Sequence, residues 1–359
     1  RIPVSIAVAL IVSAAGAYLA FRHVPFGELL HYARRIDYRW ALPSILVSIL
    51  SYLLRVLRWH WILVPSQRVP LSAAYHAMTI GFAVNCILPA RAGEIARPLV
   101  LRKTHRVPFL TSLSTVAAER LLDLGAVLIL LLVSLPSLGA SSGHAAVFQG
   151  YELSGRILAQ LVRGVWVGLA LLILGFVLVG WAASREAMLR LARRIAARLF
   201  PAREGALAWL VERSLSLLTL AMENAARGLL CFQRPAQLAG VLAATVGIWV
   251  LNVACLHLLA LGCPGIHIGI REMTFVLVAI CLFIALPSVP GYWGVWEAGG
   301  VFALALYGVA ATDAAGFVLL NHALQLLPVL AAGWYSSLRV GFRRSDLAAA
   351  PRHSGQGPA

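Results

Sequence analysis

The chain has 359 residues, of which 60% are hydrophobic and only 12% are charged, whereas soluble domains are about 25% charged. This composition excludes a soluble globular protein and places most of the chain in lipid. The formal net charge is +16, and Lys103 is the only lysine, so arginine carries nearly all the positive charge. Arginines in cytoplasmic loops and against anionic lipid heads explain this charge, so no nucleic-acid partner is expected.

Long apolar runs divide the chain and predict an all-α polytopic membrane protein with about eight to nine transmembrane segments. The first run is long enough to span the bilayer, which favours a transmembrane helix over a signal peptide. We expect one transmembrane domain, 1–340, with halves 1–183 and 236–340, and a disordered basic tail, 341–359. The runs cover residues 2–21, 40–64, 72–89, 109–135, 160–183, 236–262, 272–290, 294–311 and 314–338.

The segment 184–235 between the halves is rich in arginine. Apolar residues recur at three- and four-residue spacing from Met188 to Leu199, and Pro201 precedes a second helical stretch over about 205–230. This pattern predicts a pair of amphipathic helices on the membrane surface. Because arginine is enriched in cytoplasmic loops, the segment and the C-terminus are predicted to be cytoplasmic, in a bacterial-type inner membrane.

Two apolar runs end in similar interruptions, at 88–94 and at 286–297. Each has Leu-Pro, then glycine, then glutamate. Interrupted segments at corresponding positions of two halves indicate an inverted repeat with a binding site at the breaks. If each break belongs to a re-entrant hairpin, six runs cross the bilayer and both termini are cytoplasmic. We favour this topology; the alternative is nine full crossings.

Polar side chains near these breaks are the candidate site residues. A broken helix exposes N–H groups that attract an anion, and Arg91 and Arg97 are expected to hold a phosphate there unless they only anchor a loop. Asn85 could cap the first break. Buried charges cost about 2.5–3.5 kcal/mol each, so Glu119 and its neighbours must form ion pairs or line a wet cavity, and both alternatives stay open.

Three further groups complete the candidate set. Arg55-x-x-Arg58-Trp59 fits an interfacial belt better than headgroup capture. The aromatic residues around the second break fit either a headgroup cage or an outer belt. A packing role for His322 is favoured over a proton relay. The candidate headgroup-binding residues are Arg55, Arg58, Asn85, Arg91, Glu94, Arg97, Glu119, Arg120, Asp123, Tyr292, Trp296, Glu297, His322 and Gln325.

Motifs for catalysis, nucleotide binding or metal binding were not found. We therefore expect no enzyme activity, no cofactor and no metal. The main hypothesis is a lipid translocator. The alternatives are a membrane-embedded transferase with Glu94 or Asp123 as general base, and a non-catalytic scaffold that presents its 184–234 helices to a partner.

Over about residues 40–340 the chain resembles the transmembrane region of lysylphosphatidylglycerol synthases and related stand-alone flippase-like membrane proteins. It departs from that pattern at Pro290-Gly291-Tyr292-Trp293-Gly294, where Gly-Gly-x-Gly is common, and at His322, where arginine is common. The resemblance is carried by Arg55-x-x-Arg58-Trp59, Asn85-x-x-Leu88-Pro89-x-Arg91-x-Gly93-Glu94-x-x-Arg97, Glu119-Arg120-x-x-Asp123, the break from Pro287 to Glu297, and Leu306-Tyr307-Gly308-Val309.

This resemblance implies a helical membrane protein that moves a phospholipid, an aminoacylated phospholipid or a glycolipid between leaflets. The soluble domain that makes aminoacyl lipids in the two-domain synthases is not expected in this chain. Membrane lipids are the expected partners, and a homo-oligomer or a separate lipid-modifying enzyme is compatible with this hypothesis.

Overall fold

The computed structural model describes residues 4–22, 24–89, 91–140, 147–148, 151–152, 155–199, 205–342 and 346. In this part of the chain there are thirteen α-helices and one pair of two-residue strands, β1 (Val147–Phe148) and β2 (Tyr151–Glu152). The helices are α1 Val4–Phe21, α2 Phe26–Arg35, α3 Ala41–Leu63, α4 Leu71–Ile87, α5 Ala92–His105, α6 Phe109–Ala140, α7 Gly155–Gly180, α8 Ala182–Leu199, α9 Gly205–Gly228, α10 Pro235–Leu261, α11 Ile270–Phe283, α12 Val295–Leu306 and α13 Ala311–Val340.

These bounds confirm the predicted all-α membrane fold. Five of the described helices, α3, α6, α7, α10 and α13, are long and apolar enough to cross a bilayer, and α1 and α4 are shorter apolar helices. Many apolar side chains of α7, such as Leu171 and Ile173, are exposed, as expected where lipid is the solvent. The chain is therefore a multi-pass membrane protein. Most of the predicted tail, 341–359, lies outside the described residues.

Two helices, α2 and α5, lie outside the apolar runs and the predicted amphipathic pair. The helix α2 was not predicted, because it has only ten residues, is amphipathic and lies in a polar stretch. Its Tyr32 is buried against Gly316 of α13, and the Tyr32 hydroxyl donates to the carbonyl of Pro264 at 3.0 Å. The helix α5 begins after the first break and carries both Gly93 and Pro98, which obscured it as an apolar run.

The core consists of two sets of four helices with matching contacts. α3 packs against α10, α4 against α13, and α6 against α11. If α3, α4, α5 and α6 are exchanged with α10, α11, α12 and α13, respectively, the same three helix contacts result. Trp61 meets Gly240, while the Ser44 hydroxyl donates to the Cys255 carbonyl at 2.9 Å, so α3 and α10 are antiparallel. Two antiparallel helices can be related by a two-fold axis only if the axis is perpendicular to them.

Matching polar residues support this relation between the halves. Counted from the first residues of α6 and α13, the eleventh, twelfth and fifteenth positions of both helices are polar or charged. In α6 they are Glu119, Arg120 and Asp123, and in α13 they are Asn321, His322 and Gln325. The third residue is a glutamate in both α5 and α12, Glu94 and Glu297 respectively.

Both breaks contain backbone in the left-handed region. In the first break Arg91 has φ 53°, and in the second Gly291 has φ 72°, Tyr292 φ 62° and Gly294 φ 86°. This conformation costs an L-residue about 1–2 kcal/mol, so surrounding packing must hold both turns. α1 helps to hold the second one, because Ser13 accepts a hydrogen bond from the Val289 N–H at 2.9 Å.

Glycines allow the two helices of the first break to approach each other closely. A Cβ atom at Gly93 would overlap the Gly81 carbonyl oxygen and the Asn85 side chain. We expect Gly93→Ala to destabilise the protein by about 1–3 kcal/mol, since the added methyl overpacks this contact. The thermal unfolding midpoint in detergent should fall. Gly175→Ala is the matched control, because nothing lies within 4 Å of a Cβ there; an equal loss in both variants would contradict this account.

Candidate functional site

A buried ion network ties α3, α5 and α6 together. The Glu119 carboxylate accepts from Arg58 Nη2 at 2.9 Å through one oxygen and from Arg97 Nη2 at 2.7 Å through the other. The side chains of Glu119 and Arg58 are 0% exposed, and that of Arg97 is 2% exposed. Both carboxylate oxygens are therefore used by charged donors, which is the condition under which a buried charge is tolerated.

Asp123, one helical turn further along α6, extends this network. Its Oδ1 accepts from Arg58 Nη1 at 2.7 Å, and its Oδ2 lies 3.2 Å from Arg120 Nη2 and 3.9 Å from Arg55 Nη1. Arg58 Nη1 also lies within 3.3 Å of the Thr245 hydroxyl of α10. The network thus links the two halves of the protein through Arg58.

The structure encloses three of the candidate residues, Arg58, Arg97 and Glu119, in the protein core. The Arg97 guanidinium lies 4.1 Å from the centre of the Trp59 ring, and Trp59 Nε1 donates to Thr115 at 3.1 Å. The interfacial-belt interpretation of Arg58 and Trp59 is therefore wrong, because both side chains are fully buried in the core. Glu119 is the shared partner of Arg58 and Arg97, and Arg58 also binds Asp123 and Thr245.

Beside this network lies a cavity of about 220 Å³ between the two breaks. Its walls come from α3, α4, α5, α6, α10, α11 and α13, together with both break segments. Nine of the fourteen candidate residues line it: Arg55, Asn85, Arg91, Glu94, Arg120, Tyr292, Trp296, His322 and Gln325.

The first break forms the charged side of this cavity. Glu94 lies 3.9 Å from Arg91 and 4.0 Å from Arg120, and all three side chains are partly exposed. The Asn85 carboxamide oxygen accepts from the Gly93 N–H at 2.7 Å, so Asn85 satisfies the broken backbone, as predicted. Arg91 Nη2 also donates to the Ile284 carbonyl at 3.0 Å, which joins the two breaks.

The second break forms a closed side of the cavity. Glu297 accepts from the Gly294 N–H at 2.7 Å and lies 2.6 Å from His322 Nδ1. His322 Nε2 is 2.8 Å from the Gly291 carbonyl oxygen. The Trp296 ring stacks on the His322 ring with centres 4.7 Å apart. Glu297 and His322 are each 1% exposed, so His322 meets the cavity only at its edge.

Two further spaces adjoin the cavity. An apolar groove of about 320 Å³ between α3, α4 and α13 shares Tyr52, Phe82 and Val329 with it. A second space, of about 540 Å³, lies along both breaks and shares Asn85, Arg91 and Tyr292 with the cavity. The chamber with the charged side chains therefore lies next to an apolar groove along α3, and the two share one wall.

Sequence reasoning missed two polar residues of the cavity wall, Trp249 and Asn252 of α10. They are the fifteenth and eighteenth residues of α10, as Arg55 and Arg58 are of α3, so aligning the two halves could have found them. The indole N–H groups of Trp249 and Trp296 have no hydrogen-bond partner among the described residues. Both nitrogens are buried, so they are unsatisfied donors beside the cavity.

The described part of the chain contains no group of three or more His, Cys, Asp or Glu side chains that could hold a metal ion. The fold and the site define a polytopic helical membrane protein with a polar cavity between two broken helices.

Residues 6–333 match the family described as the lysylphosphatidylglycerol synthase TM region, and the chain belongs to this family. The resemblance drawn from the motifs is thereby confirmed, and a lipid-related function in the membrane is indicated. Comparisons with curated proteins and with solved structures gave no match.

Because Glu119 is the central charge of the buried network, we expect a large loss of stability when this charge is removed. Glu119→Gln should destabilise the protein by about 3–5 kcal/mol, because two buried guanidinium groups lose their shared carboxylate. Denaturant unfolding in detergent micelles measures this change. Asp346→Asn, which breaks the partly exposed pair with Lys103, is the control and should cost at most about 1 kcal/mol. Similar losses in the two variants would contradict a stabilising role for the network.

Proposed function

We propose that this protein is a lipid translocator that moves a phosphate-bearing headgroup between leaflets through the cavity between the two breaks. The observation that carries this proposal is that a chamber lined by charged side chains lies directly beside an apolar groove and shares a wall with it. An ion or a soluble metabolite needs only the chamber, whereas a lipid needs both. In this proposal the headgroup lies in the chamber, and the acyl chains leave through the groove lined by Tyr52, Phe82 and Val329.

The charges of the chamber support an anionic headgroup. Its wall carries three arginines, Arg55, Arg91 and Arg120, and one glutamate, Glu94, which leaves an excess of two positive charges. Guanidinium groups bind phosphate through paired hydrogen bonds. Glu94 is placed to receive a cationic or hydroxylated substituent of the same headgroup. An aminoacylated phospholipid, a plain anionic phospholipid and a phosphate-linked glycolipid all fit this description.

The helix lengths support six crossings with two re-entrant hairpins. The helices on either side of the breaks have 17, 14, 14 and 12 residues. At 1.5 Å per residue most of them are too short for a hydrocarbon core of about 30 Å. In this proposal α1, α3, α6, α7, α10 and α13 cross, so the antiparallel α3 and α10 belong to an inverted repeat. Both termini and the α8–α9 pair are then cytoplasmic, in a bacterial-type inner membrane.

The two topologies can be separated with cysteines added one at a time to a chain in which Cys86 and Cys281, the two that are not buried, are replaced by serine. Six crossings place Gly27 outside and Arg68 inside, and nine crossings reverse both assignments. Both residues are exposed. We expect a membrane-impermeant maleimide to label Gly27→Cys in intact cells and Arg68→Cys only after permeabilisation. The reverse pattern would support nine crossings.

Transport is tested with fluorescent phosphatidylglycerol and lysylphosphatidylglycerol in proteoliposomes, by bleaching the outer leaflet with dithionite. Arg91→Gln and Arg120→Gln should slow translocation roughly ten- to hundredfold, since each removes a charged hydrogen bond worth about 1.5–3 kcal/mol. Arg213→Gln, on the exposed surface of α9, is the control and should keep the wild-type rate. Wild-type rates equal to those of protein-free vesicles for both lipids would overturn the proposal, and a covalently altered lipid in mass spectra would favour a transferase.

A further inference from the structure

We infer that Glu297 and His322 form a proton-binding site whose loaded state locks the second break against α13. Only the coupling of this proton to lipid movement rests on the proposed function. Its basis is the hydrogen bonding of one buried histidine, together with the repeat that gives this histidine a counterpart in the other half.

The contacts of His322 require two protons on the pair. A carbonyl oxygen can only accept, so His322 Nε2, at 2.8 Å from the Gly291 carbonyl, carries a hydrogen. The contact of 2.6 Å between His322 Nδ1 and Glu297 Oε1 also needs a hydrogen, on either the nitrogen or the oxygen. The pair is then an imidazolium with a carboxylate, or an imidazole with a carboxylic acid. Both forms are neutral overall and hold the same number of protons.

Loss of one proton makes this arrangement untenable. In one tautomer the lone pair of Nδ1 would face a carboxylate oxygen, and in the other the lone pair of Nε2 would face the Gly291 carbonyl oxygen. In both cases the pair would carry one negative charge at 1% exposure, which is disfavoured. The deprotonated pair therefore loses its contact with Glu297 or with the Gly291 carbonyl, and re-forming both contacts takes up one proton from water.

Separation would release the second break from its neighbours. Glu297 Oε2 accepts from the Gly294 N–H, and His322 lies against the Trp293 and Trp296 rings, with centres 4.5 Å and 4.7 Å away. The pair thus joins both sides of the left-handed turn to α13. The same turn packs on α1, where a Cβ at Gly294 would overlap the Ser13 carbonyl.

The other half has a glutamate and an arginine at the equivalent positions. Glu94 and Arg120 occupy the same helix positions as Glu297 and His322. Their closest atoms are 4.0 Å apart, and both side chains are partly exposed. An arginine keeps its charge at all relevant pH values. One half of the repeat therefore carries a fixed ion pair, and the other half a pair that is complete only with a bound proton.

Charged and titratable groups from several helices line the cavity beside the pair. α1 faces the second break with Ser13 and Gly16, which do not titrate. An anionic headgroup would neutralise the excess of arginine in the cavity and favour proton uptake, so headgroup and proton would bind together. The charged and titratable groups that line the cavity beside the pair are Arg55 of α3, Cys86 of α4, Arg91, Glu94 of α5, Arg120 of α6, Cys281 of α11 and Tyr292.

A cysteine at Ser13, which is 5% exposed, reports separation of the second break without requiring transport. The background again has Cys86 and Cys281 replaced by serine, and labelling by a soluble maleimide is normalised to the unfolded protein at each pH. We expect the normalised rate for Ser13→Cys to rise about tenfold from about pH 5 to about pH 8, where histidine charge changes. Glu297→Gln should make the rate low and independent of pH, because its amide donates to Nδ1 permanently.

Two further variants complete the test. His322→Gln removes the imidazole ring and should also abolish the pH response. This variant provides the same test if Glu297→Gln fails to fold. Glu94→Gln, the repeat counterpart, should keep the pH response of labelling. A flat profile in the parent protein, or an unchanged profile in both Glu297→Gln and His322→Gln, would overturn the proton site.

Transport under an imposed pH gradient separates the two proposals. Fluorescent phosphatidylglycerol movement in proteoliposomes should respond to the gradient in the parent chain and not in Glu297→Gln. A pH-dependent Ser13→Cys signal without lipid movement would support the proton site and contradict the proposed function. Lipid movement with flat labelling would support the proposed function and contradict the proton site.

Discussion

The carboxylate of Glu119, held between Arg58 and Arg97, is the interaction on which the rest of the site depends. It joins α3, α5 and α6 at a point with 0% exposure. Because both oxygens are occupied by guanidinium groups, these charges are satisfied by protein and are not available to a ligand. The network fixes the second half-helix of the first break, and with it the position of Glu94 at the cavity.

The two halves of the protein use one framework for two kinds of chemistry. The first half has Arg55, Arg58 and Arg120 at the positions where the second half has Trp249, Asn252 and His322. The cavity between them therefore has one wall with arginines and one wall with other hydrogen-bonding groups. Such a chamber suits a headgroup that carries both a phosphate and uncharged polar groups, and the adjoining apolar groove suits the chains attached to it.

Much of the fold could be predicted because the bilayer leaves few alternatives: a spanning segment must satisfy its own backbone, and the only open segment that does so is an apolar helix. The apolar run 236–262 thus became α10, Pro235–Leu261, nearly unchanged. The short amphipathic α2 was missed, since its burial against Gly316 depends on a contact nearly 300 residues away along the chain. The roles of Arg91 and Arg97 could not be separated by spacing, because their difference lies in what surrounds them.

By itself the sequence determined the class of protein, the long apolar helices, the family and the two Leu-Pro interruptions, since these follow from apolar length, local backbone chemistry and motifs. Only the tertiary structure decided which charges are enclosed and which face the cavity. Arg58 and Arg97 became partners of Glu119, whereas Arg55 and Arg91 reached the cavity wall. The physical reason is that the cost of a charge in a membrane depends on its neighbours in space, and those neighbours come from distant segments of the chain.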